Sequence, residues 1–176
     1  MITDTKYNFL VQQYKNRIYS YSIYLLKNRM DADDVTQEVL IKIWKNIGEF
    51  NILAAKTWIM KTTHNLCIDY LRKRNLDLAK NPFSVDDVSD FIENNDEQNP
   101  MFEVEGKMTE NRIKESVKML PENLRSVFVL YEIQGMKYKE ISKTLEMPIN
   151  SVKVYLMRAR KQLQTKLSEI KLQEAI

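Results

Sequence analysis

Glycine and proline are scarce in this 176-residue chain, with three and four copies, and cysteine and histidine occur once each. So few turn formers argue against a turn-rich β architecture. A composition 44% hydrophobic and rich in Leu, Ile and Lys instead favours long helices, and an all-α fold is expected. The lone Cys67 lies beside Leu66 and Ile68 in an apolar helical pattern, where it reads as a buried small hydrophobe rather than a nucleophile. No glycine-rich phosphate loop and no metal-spaced cluster is present, so neither catalysis nor a cofactor is expected. The adjacent Asp33 and Asp34 diverge on a helix and lack the further oxygen ligands that a hard metal requires. No apolar run approaches the ~20 residues of a membrane span, and Met1–Phe9 carries no export pattern, which points to the cytoplasm.

The formal charge of +3 conceals three blocks of opposite sign. Residues 1–76 carry 12 basic and 7 acidic side chains, a net +5; residues 77–106 carry 1 and 9, a net −8; residues 107–176 carry 14 and 8, a net +6. A matched pair of basic bodies on one chain raises the expectation of a polyanionic partner. Residues 77–106 show no sustained period and contain Pro82 and Pro100, which predicts a flexible acidic linker, or at most transient helix. Its charge serves either solubility and extension or the mimicry of nucleic acid in a basic channel of a partner.

Helical spacing divides both bodies. Leu10, Tyr14, Ile18, Tyr21 and Leu25 mark the buried face of a helix over 7–26. A second starts near Asp31, turns Val35, Val39, Ile43 and Ile47 inward and stops at Gly48. After a short loop over 49–54, a third runs through Trp58 and Leu66 to the basic run Arg72-Lys73-Arg74, and short joints pack the three into a bundle. The C-terminal body begins with a helix through Ile113, Val117 and Leu120. Pro121 then fits a first helical position, and Gly135 supplies the next stop. A short helix over 138–145, a tight corner at Glu146-Met147-Pro148 and a last helix from about Asn150 or Ser151 make a helix-turn-helix.

On that last helix Val152, Leu156, Ala159, Leu163 and Leu167 form an apolar seam, which fixes the opposite face as Asn150, Lys153, Val154, Met157, Arg158 and Lys161. Such a helix can dock its N-terminal turns in the DNA major groove. Arg158, Arg160 and Lys161 suit phosphates, Lys153 suits guanine acceptors, and Val154 and Met157 suit thymine methyls or a base edge. In the first body the second helix offers Asp34, Gln37, Glu38 and Lys42, a polar face for another protein or for water. The third offers Lys61, Asn65, Arg72 and Arg74 around Trp58, the mixture of cations and aromatics that holds single-stranded DNA. The single His64 reads as a polar surface residue near that DNA.

The run Asp33-Asp34-Val35-Thr36-Gln37-Glu38-Val39 through Trp44 resembles the core-polymerase-binding segment of sigma factor region 2. Thr57-Trp58-Ile59-Met60 and Asn65-Leu66-Cys67-Ile68-Asp69-Tyr70-Leu71-Arg72-Lys73-Arg74 resemble its promoter-melting and −10-recognition segments. Leu120-Pro121 through Tyr131, Tyr138-Lys139-Glu140-Ile141 and Ser151-Val152-Lys153 through Arg158-Ala159-Arg160 resemble region 4, which binds the −35 element. The chain is thereby identified as similar to the small extracytoplasmic-function (ECF) sigma factors of the sigma-70 family. The resemblance implies region 2 at 1–76 and region 4 at 107–176. It implies docking on core RNA polymerase through Asp33, Asp34, Gln37, Glu38 and Lys42, and −10 contacts from Trp58, Lys61, Asn65, Asp69, Arg72 and Arg74. It further implies −35 contacts from Asn150, Ser151, Lys153, Val154, Tyr155, Met157, Arg158, Arg160 and Lys161, capture of an extruded base by the Glu49–Lys56 loop with Asn65, and an anti-sigma factor as a possible partner.

Departures from the family are equally specific. Asn150 stands where the family often has glycine, and its tolerance of the left-handed conformation is expected to preserve the turn. Val154, Tyr155 and Met157 stand where small polar, arginine and histidine or aromatic side chains are common, which predicts a −35 element unlike the best-known consensus. The competing reading is a dimeric helix-turn-helix regulator that binds a palindrome without polymerase.

Overall fold

The computed structural model describes residues 1–49, 51–81 and 102–176, with backbone alone at 102–105. Within them lie seven α-helices: α1 (Ile2–Leu26), α2 (Arg29–Lys45), α3 (Ala55–Lys80), α4 (Phe102–Lys118), α5 (Glu122–Phe128, continued by a π-helical turn, Val129–Ile133), α6 (Tyr138–Leu145) and α7 (Ile149–Glu174).

Only two residues separate α1 from α2, so the helices form an antiparallel hairpin. Lys27 ends α1 in the left-handed region at φ 55°, and the Asn28 side chain caps α2 by accepting the Asp31 N–H at 2.9 Å. Helix α2 stops three residues before the expected Gly48, because the Asn46 side chain turns back to donate to the Lys42 carbonyl at 2.8 Å. Helix α3 packs across the hairpin and runs beyond the basic run to Lys80, while α4 already begins at Phe102. Both ends of the expected acidic linker are therefore helical, and its middle, 82–101, lies outside the described residues. Pro121 is the cap preceding α5 rather than its first residue, and Gly135, at φ 67°, makes the expected stop after the π turn.

The expected core faces are buried, except that Tyr14 of α1 is half-buried and Ile113 of α4 is exposed. Leu10, Ile18, Tyr21 and Leu25 of α1, Val35, Val39 and Ile43 of α2 with Ile47 beyond it, and Ile59 and Leu66 of α3 join Val127, Leu130, Ile141, Val152 and Leu156 of the C-terminal body in one apolar cluster. That continuity goes beyond two separately packed bodies: α1 contacts α4, α5 and the π turn, and α3 packs on α6.

Two arginines tie the arrangement at the C-terminus of α1, whose last turn contains no basic residue. Arg74 donates to the Leu26 carbonyl at 3.0 Å and ion-pairs with Asp31. Arg125 donates to the Leu25 carbonyl at 3.3 Å and to those of Lys118 and Leu120 at 2.8 and 3.2 Å. Each cation thus meets the negative end of a helix dipole where unpaired carbonyls collect.

Candidate polymerase and nucleic-acid interfaces

On α2, burial of Val35, Val39 and Ile43 leaves Asp33, Asp34 and Gln37 exposed on the opposite side. Glu38 and Lys42 lie half-buried one turn apart, 3.9 Å from each other. The same outward stripe holds Met30, Ile41 and Trp44, which are 74%, 52% and 46% exposed. Sequence reasoning placed Trp44 within the resembling run but missed Met30 and Ile41, although their placement with Asp34 and Gln37 follows one helical face. Trp44 is braced edge-on by Tyr7 of α1, with ring centroids 5.0 Å apart. A charged stripe containing large exposed apolar groups has the composition of a protein-docking surface.

On α3, Trp58, Lys61, Asn65, Asp69 and Arg72 follow three- and four-residue steps down one side. Asn65, Asp69 and Arg72 are exposed, and Arg72 lies 3.4 Å from Asp69. Arg74 does not share this face: its guanidinium is committed to Leu26 and Asp31, inside the corner between α1 and α2. Lys56 belongs to α3 rather than to the preceding loop. His64 is half-buried rather than fully on the surface. Its Nδ1 lies 2.8 Å from the Tyr21 hydroxyl, and burial lowers its pKa to about 4. Cys67 is fully buried beside Ser22, and burial raises its pKa to about 12.

In the C-terminal body α6 and α7 form the expected helix-turn-helix. The left-handed residue at its corner is Glu146, at φ 53°, and Asn150 lies within α7, so the turn does not depend on Asn150. The corner is closed by the Ser142 hydroxyl donating to the Met147 carbonyl at 2.6 Å. Val152, Leu156, Ala159 and Leu163 are buried and Leu167 half-buried, while Asn150, Lys153, Val154, Met157, Arg158, Arg160 and Lys161 are exposed. Ser151 and Tyr155 sit half-buried between the two faces. The second helix thus presents cations around two exposed apolar side chains, Val154 and Met157.

Comparison with known proteins meets this geometry at both ends of the chain. The sigma-70 region 2 family matches residues 10–76, and sigma-70 region 4 matches residues 110–163. The chain belongs to the sigma-70 family.

Its curated relatives place it among the ECF sigma factors. SigM of Bacillus subtilis is 27% identical over 88% of this chain and 90% of its own length, and SigW of the same organism is 29% identical over 92% and 88%. SigE of Mycolicibacterium smegmatis is 27% identical over 91% of this chain and 61% of its own length, so the chain spans less than two thirds of that relative. Among solved structures, the sigma factor RpoE from Bartonella quintana, in complex with the anti-sigma factor NepR, superposes with a TM-score of 0.73 over 92% of this chain and 96% of that one, at 21% identity. CnrH in complex with the cytosolic domain of CnrY gives 0.63 over 93% and 88%, at 18% identity. At these identities the likeness establishes the fold.

In this sigma factor the two matched regions are in contact, and acids of region 4 meet cations of region 2. Glu146, at the helix-turn-helix corner, pairs with Lys61 at 2.5 Å, and Glu140 of α6 lies 3.4 Å from Lys56. Burial pushes the Glu140 carboxyl up, but the Lys137 N–H at 2.8 Å and the Lys56 ammonium outweigh it and hold the carboxyl below its usual range. Hydrogen bonding to Lys61 and its charge do the same for Glu146. These acids were invisible as partners in the sequence, because each lies more than eighty residues from its lysine. Among the described residues, no cluster of three His, Cys, Asp or Glu can hold a metal, and no helix is long and apolar enough to cross a membrane.

Proposed function

We infer that this sigma factor binds core RNA polymerase and directs it to specific promoters, region 2 engaging core enzyme and the −10 element and region 4 engaging duplex −35 DNA. The single observation carrying this reading is the order of the two matched regions, with region 4 built as a helix-turn-helix whose outer face is cationic and part apolar.

Each interface then receives named residues. Asp33, Asp34, Gln37, Glu38 and Lys42 contact core enzyme, and Met30, Ile41 and Trp44 supply the apolar centre that such a contact requires. Trp58, Lys61, Asn65, Asp69 and Arg72 serve the melted −10 strand, where bases stack on aromatic faces and phosphates require cations. Arg74 acts indirectly, by fixing the α1–α2 corner from which the core-binding helix departs. On α7, Lys153, Val154 and Met157 read bases, Arg158 and Lys161 meet phosphates, and Asn150, Ser151, Tyr155 and Arg160 complete the surface. The bodies are residues 1–76 and 107–176, with the acidic segment between them. The protein acts in the cytoplasm and is not itself an enzyme. An anti-sigma factor is a further expected partner, since both solved relatives are complexes of that kind or with a cytosolic partner domain.

In vitro transcription from a fragmented genomic library, using core polymerase with and without the protein, tests this. New start sites sharing two upstream elements at fixed spacing are expected. Unchanged starts, together with protection of duplex sites by the protein alone, would replace it with the dimeric-regulator reading.

A further inference from the structure

Four side chains from three elements of region 4 form a layered stack beside the outer face of α7. Tyr131 of the π turn and Tyr138, the first residue of α6, lie with centroids 5.0 Å apart and ring planes inclined by 13°. The Arg160 guanidinium lies 5.4 Å from the Tyr131 ring, and the Lys153 ammonium lies 5.8 Å from the Tyr138 ring. Lys153 and Arg160 are two turns apart on α7, so one helix supplies a cation to each tyrosine. Each attraction is that between a positive charge and the negative face of an aromatic quadrupole.

The two ends of the stack differ. The Arg160 Nε donates to the Glu132 carboxylate at 2.8 Å, and Nη2 reaches the same oxygen, so this guanidinium is oriented and its charge is offset locally. Lys153 meets no carboxylate among the described residues and stands exposed as the fifth residue of α7. The ring faces of Tyr131 and Tyr138 are the groups that act on the two cations. A lysine normally spreads over many rotamers, and ordering it on binding costs entropy that a pre-set position reduces.

We propose that Tyr131 and Tyr138 are positioning residues for −35 recognition: Tyr138 holds the Lys153 ammonium in its base-reading position, and Tyr131, braced by Arg160 and Glu132, holds Tyr138. The proposal rests on the reading that α7 enters the major groove with Lys153 facing bases. It makes the aromatic pair a determinant of specificity, distinct from a phosphate contact.

The test uses holoenzyme and the upstream duplex that wild-type holoenzyme selects from a randomised library, with affinity measured against single-base-pair variants of that duplex. Tyr138→Leu is expected to reduce discrimination at one base pair about two- to fivefold, the strength of an exposed cation–aromatic contact. Tyr138→Phe retains discrimination, and Tyr138→Leu has no further effect once Lys153→Ala is present. Tyr131→Leu gives the same pattern and serves should Tyr138→Leu fail to fold. Equal losses from Tyr138→Leu with and without Lys153 overturn the proposal, as do equal losses from Tyr138→Phe and Tyr138→Leu, which would assign the effect to a hydroxyl on DNA. A Lys153→Ala holoenzyme that discriminates like wild type overturns both the lysine's assignment and its positioning. Failure of wild-type holoenzyme to select any duplex overturns the promoter reading from which both descend.

Discussion

The Nη2 of Arg125, in region 4, donates to the carbonyl of Leu25, in region 2, across 3.3 Å and one hundred residues of chain. Arg125 is 5% exposed, and its hydrogen-bond partners are backbone carbonyls rather than a carboxylate, two of them at the end of α4 and one at the end of α1. A buried cation is tolerable there because two helix C-termini converge on it. Arg125→Ala is therefore expected to lower unfolding free energy by about 2 to 4 kcal/mol, as carbonyls and packing are lost together. Urea denaturation measures this, and a loss below about 0.5 kcal/mol would show that the carbonyls find other donors.

The Lys61–Glu146 pair is partly exposed, so charge attraction contributes only modestly to joining the regions. Raising salt alone should leave the free protein compact in small-angle scattering, because Arg125 and the apolar cluster persist. Lys61→Glu, placing two acids together, should lower unfolding free energy by at most about 1 kcal/mol, and the exchange Lys61→Glu with Glu146→Lys should restore it. A loss that the exchange does not reverse would dismiss the pairing.

Lys61 meets Glu146 and α3 packs on α6, so the −10 role proposed for Lys61 predicts that α3 and α6 part. Fluorescent labels at the exposed positions 73 and 143 should therefore move apart when core polymerase and promoter are added. An unchanged distance in open complexes would mean that Lys61 does not contact the melted strand.

His64 carries a pH dependence. Its folded pKa is about 4, below the ordinary 6.5, so the unfolded chain binds the proton more readily. Stability from the neutral ring is complete above pH 6.5 and declines as pH falls toward 4, by at most about 3 kcal/mol. Thermal unfolding of wild type should weaken more steeply than that of His64→Gln between pH 6.5 and 5; parallel profiles would refute the assignment.

Arg158 and Arg160 should separate in salt dependence. Arg158 is exposed, whereas Arg160 is engaged by Glu132 and Tyr131. Arg158→Ala should reduce the slope of log affinity against log salt by about one for holoenzyme on duplex −35 DNA, and Arg160→Ala by less. Equal slopes would mean that Arg160 leaves Glu132 on binding.

Ile41 is 52% exposed on the stripe proposed to bind core enzyme, so Ile41→Glu should change stability by less than about 0.5 kcal/mol. Its affinity for core polymerase should nevertheless fall about tenfold. Titration of labelled core enzyme reads this, and unaltered affinity would remove the apolar stripe from the interface.

Local pattern alone carried the helical architecture, the helix-turn-helix and the inward seam of α7, because three- and four-residue periodicity is a property of neighbouring positions. It also carried the burial of Cys67, whose apolar neighbours were visible. The exposed face of α7 followed from its buried one. Other features depended on residues far apart in the chain: His64 became a partner of Tyr21, Arg74 was drawn into the α1–α2 corner, and Glu140 and Glu146 were brought to the lysines of α3. Likewise, the corner took its left-handed residue at Glu146, where backbone geometry overruled the expectation for Asn150. Sequence by itself determined which faces are apolar and which are charged. Only tertiary structure decided which charges meet, because that depends on how whole helices pack, and packing brings together groups that no local spacing relates.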